Sequence, residues 1–125
     1  MRVEPGLPRV AVDRPVLRDT LTNFVLNAVE AIGEREGAVL LSAGAARLHD
    51  WRPGVRFVCE DDGPGLPEDQ RRRLFDPAFS TKSRGSGMGL AAARRAVERH
   101  GGTVFAAPRE GVGLSIGFVL PAEAR

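Results

Sequence analysis

Between Asp13 and Gly33 the apolar residues Leu17, Leu21, Phe24, Val25, Ala28 and Ile32 recur at the spacing of one helical stripe. Asp13 followed by Pro15 is a helix-start signal, and Gly33 closes the run. A long helix with a single apolar stripe must bury it against another element. At ~100° per residue, Asn23, Asn27 and Glu30 fall together on the side away from the stripe. Two asparagines one turn apart are unusual inside a helix, because Asn prefers caps and turns.

The remaining apolar segments supply the second layer. Leu7–Val12 suits a short strand, Ala38–Ala43 a second, and Val55–Glu60 a third, after a loop holding His49, Trp51 and Pro53-Gly54. A short helical turn is expected around Pro67–Leu74, then irregular chain through Gly87. A second helix follows from about Met88 to His100, with Leu90, Ala93 and Val97 on one face, and Gly101-Gly102 ends it. Gly102–Ala107 and Gly111–Leu120 read as an antiparallel hairpin. In its second arm Val112, Leu114, Ile116, Phe118 and Leu120 alternate with small residues, which buries one face. Helices gathered on one face of a mixed, mostly antiparallel sheet make the fold class α+β, a two-layer sandwich with about three helices. The other sheet face is left partly exposed or covered by a partner.

At 125 residues the chain is one domain's worth, residues 1–125. No apolar run approaches the ~18–20 residues that span a bilayer, and Pro5, Pro8 and charged residues interrupt the N-terminus. The single cysteine, Cys59, excludes an internal disulfide framework and a multi-cysteine zinc site, which points to the cytoplasm. Charge is nearly balanced, 18 basic against 16 acidic residues, and every basic residue but Lys82 is arginine. The densest cluster, Arg71-Arg72-Arg73, fits a solvated helix face or a phosphate patch. No stacking aromatics interleave it and Tyr is absent, so no nucleic-acid partner is expected.

Three polar blocks carry chemistry. Asn23 and Asn27 read either as surface residues or as carbonyl-oxygen donors to a hard cation; Mg²⁺ accepts such ligands while keeping waters and leaning on substrate phosphates. Asp61-Asp62-Gly63-Pro64-Gly65 follows a strand and serves as a tight turn. Asp61 also ends the apolar strand, so its carboxylate should be partly buried and need donors. An adenine amino group is one such donor, and Gly63 and Gly65 would let the chain pass close to a flat base. Gly85-Ser86-Gly87-Met88-Gly89-Leu90 precedes the second helix. It matches neither G-x-G-x-x-G nor the P-loop. Glycines before a helix N-terminus still expose N–H groups to phosphate, with Lys82 and Arg84 just upstream. A plain linker or hinge would look the same.

The order of the blocks is specific. Leu21–Ile32 (LTNFVLNAVEAI) resembles the N box, Glu60–Leu66 (EDDGPGL) the G1 box, Leu74–Lys82 (LFDPAFSTK) the F box and Gly85–Ala93 (GSGMGLAAA) the G2 box of sensor histidine kinase catalytic domains, in the GHKL superfamily. Arg99–Val104 and the closing strand to Pro121 match the family's end, so the resemblance covers essentially the whole chain. The direct run from the F box to the G2 box resembles the short lid of the nitrogen-regulation and oxygen-sensor subgroup. The resemblance implies the Bergerat fold, with ATP and Mg²⁺ as cofactors. Asn27 would ligate Mg²⁺, with Asn23 beside it facing the phosphates. Asp61 would bind the adenine amino group, with Gly63 and Gly65 lining the base. Gly85, Ser86, Gly87, Met88, Gly89 and Leu90 would form the ATP lid and its border, with Phe75 and Phe79 anchoring it and Lys82 on the β- or γ-phosphate. Asp62, Ser86 and Met88 depart from the commonest family residues, conservatively.

The superfamily includes ATPases, kinases and chaperones, and one position separates them. Its ATPases carry a Glu general base one turn before the metal-binding Asn; here that place holds Asn23. A neutral amide cannot take a proton from water, whereas a neutral imidazole acceptor needs no such help. The resemblance therefore implies a protein-histidine kinase catalytic domain in two-component signal transduction, with transfer resting on positioning and charge. Glu30 is either a support for Asn27 or a surface residue. His49 and His100 do not resemble the family's phosphoacceptor. The acceptor histidine is expected on a helical dimerisation domain, in the parent chain or in trans, with a response regulator downstream and the isolated domain monomeric. Two alternatives share the boxes: a serine/threonine kinase of the anti-sigma-factor type, and a non-catalytic nucleotide-gated interaction module.

Overall fold

The computed structural model describes residues 1–77, 88–109 and 111–123. In chain order the elements are β1 (Arg2–Val3), α1 (Arg14–Ile32), β2 (Val39–Arg47), β3 (Pro53–Asp61), α2 (Glu68–Arg73), α3 (Met88–Arg99), β4 (Thr103–Pro108) and β5 (Leu114–Pro121). The strands form one sheet in the order β1-β2-β3-β5-β4. β1 runs parallel to β2, and the other pairs are antiparallel. Helix α1 packs on β2, β3 and α3, while α3 packs on β4 and β5. This is the α+β sandwich that the periodicities require.

The core follows from register. Val55, Phe57 and Cys59 of β3 stand opposite Leu120, Phe118 and Ile116 of β5, so apolar side chains share one face. Phe57 stacks on Phe118 with ring centroids 4.9 Å apart. Phe24 of α1, fully buried, meets Phe118 edge-on at 5.5 Å and Phe75 at 6.0 Å. Burying such a ring contributes about 1.5–3 kcal/mol, and that contact seats α1 on the sheet. Helix α3 stops where Gly101 takes φ +81° and the Gly102 N–H reaches the Val97 carbonyl at 3.0 Å.

Four sequence expectations are corrected. Leu7–Val12 is not a strand: Val10 makes one isolated bridge to Ala122, and the paired N-terminal segment is Arg2–Val3. Pro8 lacks a ladder donor, and Gly6 at φ +76° turns the chain just before it. Strand β2 continues beyond Ala43 to Arg47, because Gly44, Ala45 and Ala46 still pair with Arg56, Val55 and Gly54. Val112 is exposed, outside β5, which begins at Leu114. Finally, the buried face of α1 is Thr20, Phe24, Asn27, Ala28 and Ala31. That face is rotated by about 65° from the leucine–valine stripe, toward the asparagines. Helix α3 packs on that side, so Asn27 is buried while Leu17, Leu21 and Val25 remain half-buried and Glu30 is exposed.

Candidate functional site

Strand β3 delivers Asp61 at its last position, only 1% exposed. Its Oδ1 accepts the Gly63 N–H at 2.9 Å, which turns the chain back over the carboxylate. Gly63 then passes the last turn of α1 closely, since a Cβ there would lie 3.2 Å from the Ala31 carbonyl oxygen. On the other side the turn between β4 and β5 closes against the same loop. Gly113 (φ +111°) lies on the Asp61 carbonyl, and a Cβ on Gly65 (φ +73°) would lie 3.0 Å from the Gly113 oxygen. An Arg109–Glu60 ion pair at 3.6 Å ties the two segments. The Gly63 backbone thus holds the Asp61 carboxylate, and the β4–β5 turn holds the Asp61 main chain.

Its neighbour Asp62 faces the chain leaving α1. The Ala38 N–H donates to Asp62 Oδ1 at 3.0 Å. The Arg35 guanidinium donates to the Asp62 carbonyl and lies 3.4 Å from Oδ1. The Ala38 amide first, opposed by partial desolvation and aided by the Arg35 charge, holds the Asp62 carboxyl below the usual carboxylate range. Gly37 belongs to the same clasp, since a Cβ there would meet Asp62 Oδ1 and Ile32 Cγ2, both at 2.7 Å.

The asparagines lie one turn apart on α1. Asn27 is 5% exposed. Asn23 is half-buried, and its Nδ2 donates to the Gly89 carbonyl oxygen at 3.2 Å, across 66 residues of sequence. Gly89 is the second residue of α3, and Leu90 after it is buried in the core. Helix α1 therefore meets the loop after β3 at Ala31 and Gly63, and the start of α3 at Asn23 and Gly89. Met88 opens α3. Lys82, Gly85, Ser86 and Gly87, with Phe79 and Arg84, lie outside the described residues. Phe75 is buried against Phe24.

A buried carboxylate at a strand end, flanked by side-chain-free backbone, suits a flat polar ligand that offers a hydrogen-bond donor. Among the described residues no group of three or more His, Cys, Asp or Glu could hold a metal ion. Asn27 offers an amide oxygen, the donor class a hard cation takes together with water and phosphate oxygens. The arginine cluster touches this region only through Arg71, whose guanidinium donates to the Leu66 carbonyl at 2.5 Å. It forms the C-terminal half of α2, where Arg72 pairs with Glu68 at 2.8 Å on an exposed face. His49 is exposed in the β2–β3 turn, and His100 donates from Nδ1 to the Ala96 carbonyl at 2.8 Å. Arg35, Gly37 and Gly113 were not singled out by sequence reasoning. The one available signal was the Gly111-Val112-Gly113 pair of glycines, which suits a turn better than a strand.

Residues 12–124 match the family described as histidine kinase-, DNA gyrase B- and HSP90-like ATPases. A sensor histidine kinase from Klebsiella oxytoca, ZraS, is 40% identical over 118 residues, 94% of this chain and 24% of its own length. The sensory histidine kinase/phosphatase NtrB of Rhizobium meliloti is 38% identical over 117 residues, 81% of this chain and 29% of its own. The crystal structure of full-length ShkA in complex with AMPPNP matches with a TM-score of 0.75 and 35% identity, covering 98% of this chain and 25% of that one. The chain thus spans about a quarter of the length of the curated relatives it matches. With the N box on α1 and the G1 box at the β3 exit, the chain belongs to the histidine kinase-, DNA gyrase B- and HSP90-like ATPase family, as an ATP-binding catalytic domain of the sensor histidine kinase type.

Proposed function

We propose that this domain binds Mg-ATP and presents its γ-phosphoryl group to a histidine on a helical dimerisation domain, in the same parent protein or in trans. Asp61 takes the adenine amino group, and Gly63 and Gly65 let the base lie flat against the backbone. Asn27 offers its side-chain oxygen to Mg²⁺. Asn23, Lys82 and the Gly85–Leu90 segment border the phosphates, whose charge the helix N-terminus and Lys82 offset. Bound Mg²⁺ supplies charge neutralisation on the β- and γ-phosphates. The AMPPNP bound in the ShkA structure supports a nucleotide ligand for the same fold. A response regulator downstream and a cytoplasmic location complete the reading. No described helix is long and apolar enough to cross a membrane.

One observation carries the choice of phosphotransfer over hydrolysis. Asn23 stands one turn before Asn27 and uses its amide N–H on the Gly89 carbonyl. It has no basic atom with which to take a proton from water. A neutral imidazole acceptor needs no such base. Calorimetric titration of Mg-ATP into the domain tests this directly: a saturable isotherm with a flat baseline is expected. Steady reaction heat after saturation would favour an ATPase. Transfer of labelled γ-phosphate to a histidine-bearing helical hairpin then names the acceptor, with acid-labile label for His and acid-stable label for Ser or Thr.

A further inference from the structure

The carbonyl of Gly89 sits in the first turn of α3, the turn whose N–H groups have no partners within the helix. Such a turn frays unless something outside the helix holds it. Here the holder is the side chain of Asn23, which donates to that carbonyl at 3.2 Å. The oxygen has two lone pairs, so it accepts this bond as well as the helical one from Ala93. Asn23 is anchored through the helix backbone, because the next residue of α1, Phe24, is fully buried. The contact also depends on Gly89 having no side chain. A Cβ there would lie 3.3 Å from both Cγ and Oδ1 of Asn23, and the amide would have to give way.

The chemistry of the pair is one-directional. A carbonyl oxygen can only accept, so residue 23 must donate. Glutamate or aspartate, when ionised, accepts only and would set oxygen against oxygen at this place. The same amide that leaves the site without a general base therefore ties α1 to the start of α3.

We propose that Asn23 is a positioning residue, a strut that fixes the first turn of α3 against α1 and so sets how the N–H groups of that turn meet the nucleotide phosphates. This rests on the nucleotide reading of the site and deepens it. It assigns Asn23 to the protein's own backbone rather than to the metal.

The test is a mutant cycle of Asn23→Ala, Gly89→Ala and the double variant. ATP affinity is measured by calorimetry with and without Mg²⁺, and amide exchange is followed in the nucleotide-free protein. Each single variant is expected to weaken ATP binding by about 3–10-fold, the size of one lost hydrogen bond, equally with and without the metal. The double variant should be no weaker than the weaker single one, because removing the Asn23 side chain makes room for the new Cβ. In Asn23→Ala the amides of residues 92 and 93 should exchange faster, while those of residues 96–99 do not change.

A loss confined to the Mg²⁺ form would make Asn23 a metal contact and overturn the proposal. So would losses that add in the double variant, or unchanged exchange at residues 92 and 93. If the wild-type domain bound no ATP, the nucleotide reading would fall, and with it the role toward phosphates. The exchange data would still decide whether the strut exists.

Discussion

Gly113 lies against the carbonyl oxygen of Asp61, so close that no side chain could be added there without moving one of the two segments. Its φ of +111° is also a conformation that L side chains rarely adopt. The turn between β4 and β5 therefore fixes the main chain of Asp61, the residue that carries the buried carboxylate. Gly113→Ala should destabilise the domain by about 1–3 kcal/mol through strain alone. Urea unfolding should show a lower midpoint with an unchanged slope. The surviving folded fraction should also bind ATP more weakly, because the loop carrying Asp61 must shift.

Asp61 is buried at the strand exit with one oxygen on the Gly63 amide. An Asn in its place keeps the shape but removes the charge and presents a donor at one of the two positions. ATP affinity should fall by about tenfold or more, the cost of a charge-assisted hydrogen bond. Calorimetry on Asp61→Asn, with circular dichroism to check folding, measures this. Unchanged affinity in a folded variant would remove Asp61 from base recognition.

Asn27 is buried on the face of α1 that meets α3. If it donates an oxygen to the cation, Asn27→Ala should abolish the gain in ATP affinity that Mg²⁺ gives while leaving weak metal-free binding. Titrations with Mg²⁺ and with a chelator in its place compare the two. A variant that keeps the full metal effect places the cation elsewhere.

Asp62 gives the domain a pH-dependent clasp. Its carboxyl is held below the ordinary value of 3.8, chiefly by the Ala38 amide and then by the Arg35 charge. A group depressed on folding stabilises the native state above its unfolded pKa and loses that effect as pH falls through its folded pKa. Asp62→Asn retains an acceptor for Ala38 but drops the charge. The wild type should therefore melt higher than the variant near neutral pH, and the gap should close as the pH falls below about 3.8. Added salt should narrow the gap at neutral pH, since the Arg35 pair is exposed to solvent. Melting curves across pH and salt check both.

Much of this arrangement was written in local patterns. The 3.6-residue period set α1 within a residue at each end, and the alternation at Leu114, Ile116, Phe118 and Leu120 set the buried face of β5. Asp61, Gly63 and Gly65 stood out because a carboxylate ending an apolar strand among glycines has few structural explanations. The core-facing side of α1 is wider than the leucine–valine stripe, whose Leu17, Leu21 and Val25 pack half-buried against the core. Hydrophobicity alone pointed to the leucines and valines, yet the interface with β3 and α3 uses Thr20, Asn27, Ala28 and Ala31 around Phe24, because small side chains let the layers approach.

The sequence by itself determined the main helices and strands and the α+β class, and it singled out the residues proposed here for a nucleotide. Each of these depends on neighbours within a turn or a strand of one another. What only the tertiary structure decided are contacts between distant segments: Asn23 on Gly89, Gly113 on Asp61, and Arg35 with Ala38 on Asp62. Such contacts depend on how layers are rotated and spaced. A hydrogen-bond donor or a missing Cβ gives no periodic signal along the chain, and it acquires meaning only when the partner backbone arrives beside it.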